Sequence, residues 1–154
     1  MDAEVYPDER VVQFVNQHFI PVRIHVRQQA DEWKRIGGRY SVQWTPTILV
    51  VGSSAEERHR LEGFLPADEF LAQLELGWAQ AAFGSARFDE AEKRFRDLVQ
   101  HHPDTDAAPE AFYWAGVSRY KATNDPSALA ETAKGFRERY QDSAWAKKSV
   151  VWGS

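Results

Sequence analysis

A stripe of apolar positions three and four residues apart opens the chain. It consists of Val11, Phe14, Val15 and His18, and it follows Pro7-Asp8-Glu9, which is a typical helix start. This spacing places the four side chains on one face of a helix. The sequence therefore predicts a short amphipathic helix near the N-terminus.

The pattern then changes from helical spacing to alternation. Ile20, Val22, Ile24 and Val26 occupy every second position of the next segment. Because successive side chains of a strand point to opposite faces, these four share one face, and Pro21 is tolerated near the start of a strand. The alternation predicts a strand over residues 20–26.

A second helix and a hairpin are predicted next. Residues 30–39 favour a helix, although the pair Gly37-Gly38 weakens its last turn by roughly 1 kcal/mol per glycine relative to alanine. The continuous aliphatic run Thr47–Val51 is typical of a strand that is covered on both faces. A turn at Gly52-Ser53-Ser54 leads into residues 58–63, which are the candidate antiparallel partner.

The second half of the chain has helical patterns throughout. A proline in the first turn and acidic residues near the N-terminus favour the first of these helices. The predicted helices cover residues 66–82, 88–103, 109–122 and 126–140, with a short last helix from Ser143.

These helices form two hairpins that repeat. His101–Thr105 aligns with Arg139–Ser143 at an offset of 38, slightly more than the period of about 34 that is usual for helical hairpins. The extra residues fit the loop 121–125. An internal repeat of two helical hairpins is therefore predicted.

Charge and hydropathy exclude two classes of partner. The net charge of −4 supplies no broad positive field, so nucleic acid is not an expected partner. No apolar run approaches the roughly 20 residues that cross a bilayer, so no membrane partner is expected either. The start Met1–Val5 lacks the basic and apolar segments of an export signal.

The candidate chemistry is limited by the absence of cysteine. With no cysteine, these residues supply no disulfide, no thiolate nucleophile and no sulfur ligand for a metal. The five histidines show no ligand spacing, and no nucleophile elbow or phosphate-binding glycine loop is present. We therefore expect no catalytic residue, no metal site and no cofactor. Most of the six tryptophans are expected to be packing anchors.

One segment carries a family resemblance. Tyr40-Ser41-Val42-Gln43-Trp44-Thr45-Pro46-Thr47 leads into the aliphatic run, the hairpin partner, Gly63-Phe64 and a helix. In this order and at these separations the chain resembles the thioredoxin superfamily. The resemblance implies that the Thr45–Pro46 bond is cis and that Trp44, Thr45 and Pro46 bind an extended peptide, which pairs with the backbone of Thr45. From the residues alone, Pro46 could also simply begin a strand.

The N-terminal residues resemble one subgroup of that superfamily. Met1–Asp8, Asn16–Phe19 and Ile20-Pro21-Val22 match the residues that follow a Cys-x-x-Cys-x-x-Met helix in the subgroup. The resemblance implies that two cysteines and the first core strand precede Met1, with that strand lying between residues 20–26 and 47–51. We therefore expect an N-terminally truncated sequence or a misplaced start codon; the alternative is an evolved cysteine-free protein.

The helical hairpins resemble tetratricopeptide repeats. Ala91, Phe95, Leu98 and Pro103 fall at the small, aromatic, aliphatic and terminating positions of such a repeat. The second copy is degenerate, since Gln141 stands where proline would be, so a generic pair of helical hairpins is the alternative. Because there are fewer than three repeats, the hairpins are expected to pack against the thioredoxin-like module for stability.

The predicted fold class is α/β plus α. A thioredoxin-like mixed sheet, β-α-β-β-α and truncated at its N-terminus, is expected over residues 1–75, and all-α tetratricopeptide-like hairpins over residues 76–154. The parent protein is predicted to be a thiol-disulfide oxidoreductase that is redox-inactive as given. The alternatives are a non-catalytic module for a protein or peptide partner and a structural scaffold. Analogy with similar fusions predicts a bacterial cytoplasmic protein.

Overall fold

A computed structural model describes residues 1–153 and divides the chain into two compact units. The first unit runs from Met1 to Leu71 and the second begins at Ala72, so that α3 continues across the boundary. The elements are α1 Glu9–His18, α2 Ala30–Arg39, β1 Thr47–Val51, β2 Glu57–Glu62, α3 Ala67–Gly84, α4 Phe88–His101, α5 Ala107–Thr123, α6 Ser127–Glu138, α7 Ala144–Ser149 and a 3-10 turn Val150–Trp152. The predicted helices and the predicted hairpin are confirmed.

The first helix begins and ends where its capping groups lie. The Asp8 carboxylate accepts a hydrogen bond from the backbone N–H of Arg10 at 2.9 Å, which satisfies one of the free donors of the first turn. At the other end the N–H of Phe19 donates to the carbonyl of Val15. Val11 is the buried residue of the apolar stripe, which the helical spacing places against the unit's core.

The predicted strand over residues 20–26 is wrong. The segment has no regular secondary structure, and Ile20 and Val22 are 93% and 81% exposed. In the part of the chain that the structure describes, the sheet consists of β1 and β2 alone, in antiparallel arrangement. Within residues 1–153 no neighbouring strand pairs with the backbone of this segment, and an alternating pattern forms a strand only where such a partner exists. A two-stranded antiparallel sheet therefore takes the place of the predicted mixed sheet.

The two strands of the hairpin have a defined register, but other residues do not cover both faces of β1. Thr47 lies opposite Glu62 and Val50 opposite His59, with an irregularity between Val50 and Val51. Val50 is buried, whereas Val51 is 40% exposed. The prediction of a strand covered on both faces is therefore wrong, because a continuous aliphatic run reports hydrophobicity and not the number of layers that pack against it.

Two glycines of the first unit allow a test of backbone conformation. A Cβ atom at either Gly38 or Gly63 would meet nothing within 4 Å, but Gly63 has a φ of +86°. We expect Gly38→Ala to stabilise α2 by about 0.5–1 kcal/mol, because alanine loses less backbone entropy in a helix. Thermal unfolding followed by far-UV circular dichroism should show a higher Tm. Gly63→Ala is the matched control and should lower the Tm, because a side chain disfavours positive φ; a lower Tm for Gly38→Ala would contradict the prediction.

The second unit is a layer of helices around a continuous core. Phe95, Leu98 and Ala91 of α4 are completely buried, as are Ala108 and Ala111 of α5. The helical periodicity of the sequence places these residues on the inner faces of their helices. α5 packs against α4 on one side and against α6 on the other.

The 38-residue offset of the sequence appears as a repeated turn. The N–H of Thr105 donates to the carbonyl of His102 at 3.3 Å, and the N–H of Ser143, 38 residues later, donates to the carbonyl of Tyr140 at 2.9 Å. The Tyr140 hydroxyl also donates to the carbonyl of Pro103 at 2.7 Å, which ties the two turns together.

Candidate functional site

The loop between α2 and β1 is held at both ends. At the end of α2, the N–H of Val42 donates to the carbonyl of Gly37 at 2.8 Å. The Tyr40 hydroxyl donates to the carbonyl of Ala55 at 2.8 Å, and the Arg60 guanidinium donates to the carbonyl of Tyr40. The hairpin therefore positions the loop through contacts that lie 15 and 20 residues away in the sequence.

The three predicted site residues lie at the end of this loop, just before β1. The Thr47 hydroxyl donates to the carbonyl of Trp44 at 2.7 Å, and the N–H of Gly63 donates to the carbonyl of Pro46 at 2.9 Å. The Thr45–Pro46 peptide bond is cis. One side-chain and one backbone donor thus hold the carbonyls of Trp44 and Pro46 on either side of Thr45.

Trp44 differs from the other tryptophans of the chain. It is 65% exposed, whereas the other five are partly buried. Trp78, for example, lies under the Arg94 guanidinium, 3.5 Å from ring centroid to the guanidinium carbon. Tryptophan buries a large area when a partner covers it, and it is enriched among residues that dominate binding energies. Trp44 is therefore available for a partner in a way that the other tryptophans are not.

Thr45 presents free backbone groups. The residue is exposed, and neither its N–H nor its carbonyl makes a hydrogen bond to another group of residues 1–153. Paired groups flank it on both sides, so the free donor and acceptor are held in place by the surrounding backbone. A donor and an acceptor on one residue are what an incoming extended peptide pairs with in strand addition.

The charged side chains beside the loop are engaged with one another. Arg60 contacts Glu57 at 2.7 Å and Glu62 at 3.3 Å. The hydrogen bond from Arg60 lowers the pKa of Glu57 and so stabilises the ionised form of this carboxylate. The arrangement provides a fixed ion pair beside the loop.

Two other kinds of site are not found in the described part of the chain. No group of three or more histidine, cysteine, aspartate or glutamate residues within residues 1–153 could hold a metal ion. None of the described helices combines the length and the apolar character that a membrane crossing requires.

A family model for the thioredoxin-like domain matches residues 1–78, which include α1, α2, the hairpin and the first part of α3. The chain belongs to this family. No protein of curated function matches it, and no solved structure matches it.

Proposed function

We propose that this thioredoxin-like protein binds an extended protein or peptide partner and performs no thiol chemistry with these 154 residues. Thiol-disulfide exchange requires a thiolate to attack a disulfide sulfur, and the sequence contains no cysteine. The observation that supports binding is the combination at one place of an exposed tryptophan and a residue whose backbone donor and acceptor are both free.

The proposed binding site consists of Trp44, Thr45 and Pro46. An extended peptide laid along the loop would accept a hydrogen bond from the N–H of Thr45 and donate one to its carbonyl, which adds a short strand at this point. Trp44 would cover an apolar side chain of the peptide and supply most of the buried area. Main-chain pairing gives affinity with little demand on sequence, and the tryptophan gives a preference for apolar neighbours.

The helical unit is proposed to be tetratricopeptide-like and to offer a second surface to the same partner. Two observations support this. Ala91, Phe95 and Leu98, at the small, aromatic and aliphatic positions of such a repeat, are all completely buried, and the hairpin turn recurs at an offset of 38 residues. The proposed boundary between the two domains stays at residues 75 and 76, within α3.

A thiol-disulfide oxidoreductase remains the second candidate, for the parent protein. The match to the thioredoxin-like family supports it. That function requires a Cys-x-x-Cys pair outside the present sequence, and the codons upstream of Met1 decide the matter: a cysteine pair preceded by an aliphatic strand supports the enzyme, and a stop codon there removes it. A location in the bacterial cytoplasm is part of the same proposal.

The binding site can be tested through the backbone of Thr45. Thr45→Pro removes the N–H donor and should weaken a peptide selected on an array of immobilised 15-residue peptides by about tenfold, the cost of one lost hydrogen bond of roughly 1.4 kcal/mol. Fluorescence anisotropy measures the dissociation constant. Trp44→Ala should weaken binding at least as much, because it removes the exposed ring.

Thr45→Val is the matched control, because it keeps the backbone N–H and the shape of the side chain. Its affinity should equal that of the unchanged protein, and circular dichroism should show that all three variants are folded. Equal affinity of Thr45→Pro and Thr45→Val would remove the backbone of Thr45 from the site.

A further inference from the structure

An open groove runs along α5 in the helical unit. α5 packs against both α4 and α6, but α4 and α6 do not pack against each other in the described part of the chain. Residues of α4 and α6 therefore form two walls above α5. Phe112, Ala115 and Gly116 of α5 form the floor between them.

The groove is large enough for several side chains of a ligand. One cavity of about 390 Å³ is lined by Arg96, Val99, Phe112 and Arg139 among others. A second cavity of about 210 Å³ adjoins it and continues along α5 to Arg119. From Phe112 to Arg119 the helix rises roughly 10 Å, which corresponds to about three residues of extended chain. The shape is that of a short channel for an extended segment.

The groove has an excess of positive charge. The Arg96 guanidinium donates to Glu92 at 2.8 Å, and Arg119 contacts Glu131 at 2.8 Å, so each of these arginines has its own carboxylate. The guanidinium of Arg139 has no ion pair or hydrogen bond within residues 1–153, whereas the backbone N–H of Arg139 donates to the carbonyl of Gly135. When the two carboxylates that pair with Arg96 and Arg119 are counted with the groove, one positive charge, that of Arg139, is left in excess.

Two aromatic rings lie beside the Arg139 guanidinium. The Arg139 guanidinium carbon lies 5.8 Å from the centroid of the Phe112 ring and 5.5 Å from that of the Tyr140 ring. Burial raises the pKa of the Tyr140 hydroxyl most, Arg139 lowers it, and Asp104 is the other charge that raises it. Stacking on aromatic faces orients a guanidinium and leaves its N–H donors for a carboxylate.

We infer that this groove binds an acidic, extended segment of a partner protein. One carboxylate of the segment pairs with Arg139, an apolar side chain beside it covers Phe112, and a second carboxylate lies near Arg96. Arginine suits this role because its planar fork of donors matches a carboxylate. The inference rests on the proposal that the helical unit offers a second surface to a partner, but it does not depend on the site at Trp44, Thr45 and Pro46.

The probe for this groove is a fluorescein-labelled pentapeptide that alternates aspartate and leucine, titrated with the full chain and followed by fluorescence anisotropy. We expect saturable binding, at least about tenfold weaker binding of the counterpart with asparagine in place of aspartate, and a steep loss of affinity with added salt. Arg139→Ala should weaken the aspartate peptide by about tenfold, and Arg139→Lys by less, since lysine keeps the charge but loses the fork.

Lys134→Ala is the matched control for charge, because Lys134 is an exposed cation of α6 that does not line the groove. Lys134→Ala should bind the peptide with the affinity of the unchanged protein. If Arg139→Ala has a lowered Tm, Arg139→Gln provides a second neutral variant. Four outcomes would overturn the inference: no binding of the aspartate peptide, equal binding of the asparagine peptide, equal losses for Arg139→Ala and Lys134→Ala, or displacement by inorganic phosphate at concentrations similar to the peptide. Variants of Trp44 and Thr45 should leave this affinity unchanged, so the two sites can fail separately.

Discussion

Replacing Phe95 with alanine lowers the free energy of unfolding of the helical unit by about 3–5 kcal/mol, the usual cost of removing a fully buried aromatic ring. Phe95 is completely buried in one cluster with Leu76, Leu98 and Ala111. Deleting the ring loses its transfer free energy and leaves a cavity that the surrounding helices fill only in part. Chemical denaturation followed by circular dichroism measures the loss.

Phe64→Ala is the matched control for Phe95→Ala. Phe64 is 55% exposed, so its ring gains much less from the folded state, and its removal should cost well under half as much. Similar losses for the two variants would show that Phe95 does not lie in the core of the helical unit.

Replacing Gly116 with alanine should cost about 1–3 kcal/mol, although alanine is the better helix former. A Cβ atom at this position would lie 2.0 Å from the Thr132 hydroxyl oxygen and 2.8 Å from the Thr132 Cβ. Thr132 is buried, and its hydroxyl donates to the carbonyl of Ala128 at 2.7 Å, so it cannot move away cheaply. The close approach of α5 and α6 depends on the missing side chain. Denaturant titration gives the change.

The steric origin of this loss has its own test. Thr132→Ala removes the oxygen nearest to the new Cβ atom, so Gly116→Ala should cost less in a chain that already carries Thr132→Ala. Because the Thr132 Cβ remains close, the recovery should be partial. Equal costs in both backgrounds would mean that contact with Thr132 does not limit the packing of α5 on α6. Gly116 also lines the groove, so Gly116→Ala should alter binding of the acidic peptide too.

The helices and the hairpin could be predicted because their signals are local. Helical spacing, capping residues and proline punctuation all act within a few residues, and they placed the ends of α2 to α6 within two residues of the observed ones. The capping of α1 by Asp8 is one example, since the pattern Pro7-Asp8-Glu9 marks the start of the helix before any tertiary contact is known.

The strand over residues 20–26 shows the limit of such signals. Its alternation is as regular as that of a true strand, yet a strand forms only where another backbone pairs with it. Ile20 and Val22 are therefore exposed in the structure. The same limit applies to Val51, whose aliphatic neighbours say nothing about which face is covered.

Only part of the candidate site could be predicted from the sequence. Trp44, Thr45 and Pro46 are adjacent in a motif, so the sequence brought them together by itself. The groups that hold them, Tyr40 with Ala55 and Arg60 with Tyr40, lie 15 and 20 residues apart and carry no local signature. The composition indicated packing for most of the six tryptophans, and the structure decided that Trp44 is the exposed one.

For this protein the sequence alone determined the helical periods, the hairpin, the loop motif before β1 and the lack of thiol chemistry in these residues. These properties depend on the order of side chains and on their types. The tertiary structure decided which alternating segment remains unpaired, which tryptophan is exposed and that an unpaired arginine lies in a groove between α4 and α6. Those properties depend on which distant segments meet. The spacing of residues along the chain does not specify which segments form hydrogen bonds or pack closely with one another.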